Sequence, residues 1–213
     1  MRASGIFFAQ ENSDSRQIQL LRIGLYCYAQ PLYCRQVTPM PTQDSPEQIH
    51  IRPATVEDCQ QIHDFIMELA VYEKLAHEVI ATPELLAETL FGARPYAEVL
   101  IAEFAGTPVG YALFFHSYST FNGRPGIYLE DVYVQPAMRG KGIGKSLMVT
   151  LARLALERGC ARFEWSVLDW NAPSIAFYRS IGAQPMDGWT VQRVTGDALH
   201  ALAAQEAAGV SNG

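Results

Sequence analysis

The rhythm of apolar and polar positions divides the chain into short segments from residue 48 onward. Ile49 and Ile51 alternate with polar neighbours, which predicts a strand ended by Pro53. Thr55, with Asp58 three residues on, has the capping-box pattern and opens a helix to about Tyr72. Thr82-Pro83 is an N-cap followed by a first-turn proline, the start of a second helix, PELLAETLF. AEVLIAEFA and PVGYALFFHS predict a hairpin turning near Gly106. A loop, YSTFNGRPG, leads into IYLEDVYV, a strand rich in Val and Tyr.

Past a glycine-rich stretch, Leu147, Leu151, Leu154 and Ala155 recur at helical spacing between Gly144 and Arg158, and Gly159 suits the helix end. ARFEWSVL predicts another strand, and Asn171 begins a short helix that Gly182 stops. Trp189 to Val194 alternates as a last strand, and DALHALAAQEAA predicts a terminal helix. The plan is one mixed α/β domain over residues 49–195, without internal repeats, and a C-terminal helix or tail over 196–213. Residues 1–48 differ: short apolar patches without sustained period precede TPMPTQDSPEQ, which reads as a linker. This extension receives no functional assignment. Met40 inside it is a second candidate start of translation, which the intact mass of the native protein checks.

Composition narrows the class without choosing the chemistry. With 49% hydrophobic and 18% charged residues, the 213-residue chain is an ordinary globular protein with a sizeable core. A net charge of −6 argues against a nucleic-acid surface and suits a cationic substrate. Cys27, Cys34, Cys59 and Cys160 lack CxxC spacing and read as free thiols, and the five histidines form no metal-ligand motif. No metal is therefore expected. The first residues lack the continuous apolar core of a signal peptide, and no apolar run approaches the roughly 20 residues of a membrane span. A cytoplasmic protein is expected.

The segment MRGKGIGKS, residues 138–146, carries the first chemical signal. It ends like a phosphate-binding P-loop, but that motif needs a glycine where Arg139 stands. Its late position in the domain also fits a nucleotide triphosphatase poorly. Arg139-Gly140-Lys141-Gly142-Ile143-Gly144 instead matches the pattern R/Q-x-x-G-x-G/A of the GNAT superfamily of N-acetyltransferases. Gly142 and Gly144 let backbone approach a pyrophosphate, the next helix offers free N–H groups, and Arg139, Lys141 and Lys145 add positive charge.

The surroundings resemble that family in order: the strand Leu129 to Val134, the loop, a helix, a strand, then Asn171-Ala172-Pro173-Ser174 leading to Tyr178. The resemblance covers close to 150 of the 213 residues. It implies a mixed central sheet flanked by helices, with two central strands splayed apart, and acetyl-CoA as cosubstrate. IRPAT, Tyr72-Glu73, YLED and NAPSIAFY resemble the diamine acetyltransferase branch. YSTFNGRPGIYLED and VLDWN look more like its thialysine N-epsilon-acetyltransferase members. The polyamine enzymes carry an acid in the loop before YLED, whereas Ser119 to Gly123 has none, which favours a shorter amine or a lysine analogue.

Site roles follow from the same resemblance. An alkyl ammonium, with a pKa near roughly 10.4, must lose a proton before it attacks. Glu130 is the implied proton acceptor and substrate contact, while the period of two puts Asp131 on the other strand face. Backbone at Val132, Tyr133 and Val134 would polarise the carbonyl and pair with the cofactor's arm. Tyr178 would give the departing thiolate its proton, and Asn171, Ala172 and Pro173 would line the cofactor site. Tyr72, Glu73, Glu164, Trp165 and Ser166 are expected around a small-molecule amine, with Glu164 and Trp165 on opposite strand faces. A homodimer is implied too. Two alternatives stand: an acetyltransferase for a polyamine, protein N-terminus or antibiotic, and a non-catalytic acetyl-CoA-binding module.

Overall fold

The computed structural model describes residues 48–205. The expectations for the N-terminal extension, for Cys27 and Cys34, and for the last residues of the tail lie outside that range. Five strands form one mixed sheet in the order of the chain: β1 (Ile49–Pro53), β2 (Glu98–Phe104), β3 (Thr107–Ser119), β4 (Arg124–Val134) and β5 (Phe163–Trp165). The first four pair antiparallel, and β5 joins β4 in parallel.

Helices α1 (Cys59–Glu73) and α2 (Pro83–Phe91) cover one face; α3 (Ile143–Glu157) and α4 (Ala172–Ser180) cover the other. Strict alternation in β2 serves both layers. Val99 and Ile101 pack with Ile62 and Phe65 of α1, while Leu100 and Ala102 pack with Leu147 and Leu151 of α3. A last helix, α5 (Gly196–Ala203), follows. At α2 the local signal acts as predicted, Thr82 Oγ1 accepting the Leu85 N–H at 3.3 Å. The Thr55 N–H donates to Asp58 Oδ2 at 2.8 Å, but this box closes a 3-10 turn, Val56–Asp58, and α1 itself starts only at Cys59.

Three sequence expectations are corrected. Most of the loop YSTFNGRPG belongs to strands, because β3 runs to Ser119 and β4 begins at Arg124. The strand ARFEWSVL shrinks to Phe163–Trp165, since β5 pairs only with Ile127–Leu129. Trp189 to Val194 forms no strand. A strand needs a neighbour for its backbone groups, and the sheet of the described residues ends at β5.

Candidate active site

A β-bulge shapes the site. Leu113 of β3 faces Asp131, but the next residue, Phe114, faces Leu129, so Glu130 is an extra residue in β4. The bulge resets the alternation of the strand. Ile127 and Leu129 point to the α3 layer before it, whereas Val132 and Val134 do so after it. Tyr133 turns to the α1 layer. Glu130 and Asp131 consequently both line one cleft, which corrects the expectation that Asp131 faces away.

The cleft, about 480 Å³, opens where β4 and β5 part. Beyond Leu129 no described strand pairs with that edge of β4. The backbone groups of Glu130 to Val134 that point away from β3 are thereby left available, apart from the Val134 carbonyl, which accepts Arg139 Nε at 3.0 Å. Arg139 is further held over the rings of Tyr72 at 5.0 Å and Tyr133 at 5.7 Å.

One end of the cleft is the glycine loop. Gly140 (φ 80°) and Gly142 (φ 86°) occupy the left-handed region, and Gly142 caps α3. The first intrahelical bond runs from the Ser146 N–H to the Gly142 carbonyl at 2.9 Å. The N–H groups of Ile143, Gly144 and Lys145 precede it and have no helical partner. A side chain at Gly144 would meet only Val134 Cγ2, at 3.9 Å, so the protein itself leaves that space open.

The other end gathers acids and tyrosines. Burial, then the charge of Asp131, raises the pKa of Glu73. Burial also raises Asp131, opposed by the Tyr111 hydroxyl that donates to Asp131 Oδ2 at 2.9 Å, with Glu130 adding repulsion. Tyr178 is pushed up to about 12 by burial first, then by Glu73 and Tyr72. Its ring packs 5.1 Å from that of Trp165 and 5.4 Å from that of Phe177. Asn171 is buried, and its Oδ1 accepts both the Tyr72 hydroxyl at 3.0 Å and the Ser174 N–H at 3.3 Å. One side chain thus caps α4 and ties it to the end of α1.

Most residues singled out in the sequence line this cleft: Tyr72, Glu73, Glu130, Val132, Tyr133, Val134, Arg139, Gly140, Gly142, Ile143, Gly144, Lys145, Trp165, Ser166, Asn171, Pro173 and Tyr178. Three fall outside the lining. Lys141 lies over the Phe104 ring at 4.6 Å, Glu164 pairs with Arg162 Nε at 2.7 Å, and Ala172 is exposed on α4. The side chain of Tyr133 is turned away, its hydroxyl donating to Glu68 Oε2 at 2.9 Å, so it meets the cleft through backbone. Asp131, Leu69, Met138, Val167 and Leu168 also line the cleft and were missed. Only Asp131 had a signal, its position inside YLED. Among the described residues no cluster of three or more His, Cys, Asp or Glu is placed to hold a metal ion, and no helix is long and apolar enough to cross a membrane.

The chain resembles known proteins across this same region. Residues 60–183 match the Acetyltransferase (GNAT) family. Thialysine N-epsilon-acetyltransferase of Mus musculus is 41% identical over 164 residues, covering 72% of this chain and 96% of the relative. An L-ornithine N5-acetyltransferase of Arabidopsis thaliana is 33% identical over 197 residues, covering 71% of this chain and 86% of the relative. An integron cassette protein from the mobile metagenome of V. cholerae superposes with a TM-score of 0.64 at 26% identity, covering 74% of this chain and 98% of that one. A family match spanning more than half of the chain, and 41% identity over nearly all of a named acetyltransferase, make this protein a member of the GNAT family of acetyltransferases.

Proposed function

We propose that the protein transfers an acetyl group from acetyl-CoA directly to the terminal primary amine of a small amino acid of the thialysine or lysine type. The observation that carries this reading is the joining, in one cleft, of a glycine loop at a helix N-terminus with Tyr178 and three carboxylates. The relatives named for thialysine and L-ornithine support the acceptor class, since both compounds are amino acids with a distal amine.

The loop fits a pyrophosphate. Unpartnered N–H groups of α3, open space at Gly144, and the charge of Lys145 and Arg139 suit an anion that must lie close to backbone. The free edge at Val132 to Val134 offers N–H donors for the pantetheine arm and the acetyl oxygen, and Asn171 and Pro173 close the opposite wall. Acetyl-CoA supplies an acetyl group activated as a thioester, whose thiolate leaves in need of a proton. Tyr178 Oη holds a proton at neutral pH and acts as the acid. Glu73 and Asp131 bind the acceptor as an ammonium, and solvent-facing Glu130 takes its proton directly or through water. The finer reading is a cytoplasmic homodimer with its catalytic domain over residues 49–195. Light scattering and cell fractionation test the dimer and the location.

Thiol release from acetyl-CoA tests the function, with thialysine, lysine, ornithine, spermidine or no amine added. Acceleration by the amino acids is expected. Acceleration by spermidine alone would overturn the acceptor class, and failure to bind acetyl-CoA would overturn the whole reading. A companion result is expected of Gly144→Val: KM for acetyl-CoA rises more than about tenfold, because the branched side chain fills the space the phosphates need. The thermal midpoint moves little, since only Val134 Cγ2 is near and glycine is itself a poor helix former.

A further inference from the structure

Lys74 is the C-cap of α1, at φ 64° and ψ 27°. That left-handed conformation favours glycine, and among the described residues only Lys74 and Ala105 adopt positive φ without being glycine. Ala105 belongs to the hairpin turn between β2 and β3, whereas Lys74 directly follows Tyr72 and Glu73, which line the cleft. A cation suits the negative end of a helix, but the left-handed position itself favours glycine over lysine.

Its amine is nevertheless held. Lys74 Nζ sits 5.9 Å from the centroid of the Trp170 ring, which is tilted against the Tyr72 ring at 5.9 Å. Trp170 is 53% exposed and precedes Asn171, which lines the cleft. Among the described residues Lys74 forms no ion pair. The cations that line the cleft are Arg139 and Lys145; Arg139 also reaches this end, 5.0 Å over the Tyr72 ring, but its Nε is engaged by the Val134 carbonyl. Around Tyr72 the cleft therefore has acids within, Glu73, Glu130 and Asp131, with Lys74 beside the lining on Trp170.

That charge layout matches a molecule with an ammonium at one end and a carboxylate at the other. We propose that Lys74, seated on Trp170, binds the α-carboxylate of the acceptor while Glu73 and Asp131 hold its distal ammonium. The site then selects terminal-amine amino acids against diamines and polyamines, which carry no carboxylate. This inference rests on the acceptor reading above and names the residue that enforces it.

The test compares thialysine with its decarboxylated counterpart, bis(2-aminoethyl) sulfide, which differs only by that carboxylate. Lys74→Ala is expected to raise KM for thialysine about fivefold, the scale of one exposed charge pair, and to lower KM for the diamine by removing a repulsion. Lys74→Glu carries both changes further, and Lys74→Arg keeps the preference for thialysine. Lys74→Gly relieves the left-handed strain, so it raises the thermal midpoint while losing the preference; this separates selectivity from folding. Equal changes for the two acceptors, or an unmoved thialysine KM, would overturn the assignment. An unaltered protein that acetylates neither compound would overturn the proposed function itself, and this inference with it.

Discussion

Replacing Tyr178 by phenylalanine lowers kcat about 10²–10³-fold and leaves both KM values nearly unmoved, measured as steady-state thiol release. The change removes one oxygen. The ring keeps its contacts with Trp165 and Phe177, and the hydroxyl has no hydrogen-bond partner among the described residues, so folding loses nothing that depends on it. What is lost is a proton held at the edge of the cleft. Burial and the charge of Glu73 push the Tyr178 pKa up to about 12, so the hydroxyl stays protonated through the working range. The unaltered enzyme therefore shows no loss of kcat from Tyr178 ionisation up to about pH 11, one unit below that pKa. A variant that keeps half the original kcat would remove Tyr178 from the acid role.

How far the sequence carries depends on whether a feature is local. Helix α2 starts at Pro83 and ends at Phe91 as its letters indicate, because its N-cap threonine and first-turn proline act within one turn. The glycine loop is local in the same sense: Gly140 and Gly142 supply the left-handed turns, and α3 follows at once. Both pieces lie within residues 60–183, which match the GNAT family. Asp131 was misjudged because its direction depends on a bulge, and a bulge is a relation between two strands rather than a property of one. Trp189 to Val194 failed for a related reason. Alternation marks a segment able to form a strand, yet only a partner edge makes it one. The raised pKa of Glu73 was equally hidden, since it comes from burial and from Asp131, 58 positions away in the chain.

Asp131→Asn is the change in which function and stability part company. Asparagine has nearly the same shape and keeps an Oδ1 to accept the Tyr111 hydroxyl, so the wall of the cleft stays intact. Without the charge, kcat/KM for the amine falls about 30- to 100-fold, the scale of a lost charged partner in a half-buried site. The acid limb of kcat/KM also moves to lower pH, because Glu73 no longer feels the repulsion of Asp131. Stability moves the other way. Asp131 and Glu73 have folded pKa values above their ordinary ones, so between the two values the folded protein holds protons that the unfolded chain has released. Stability then falls as pH rises through that window, and at neutral pH the ionised pair costs folding free energy. Neutralising Asp131 should raise the thermal midpoint at pH 7.5 by about 2–4 °C, the response of a domain this size to about 1 kcal/mol. The gain shrinks in acid, where Asp131 is protonated in either state. Thermal unfolding at both pH values, beside the kinetics, decides the matter. A variant that loses activity and stability together would make Asp131 a structural support, whereas opposite signs mean the fold tolerates a strained carboxylate because the amine needs it.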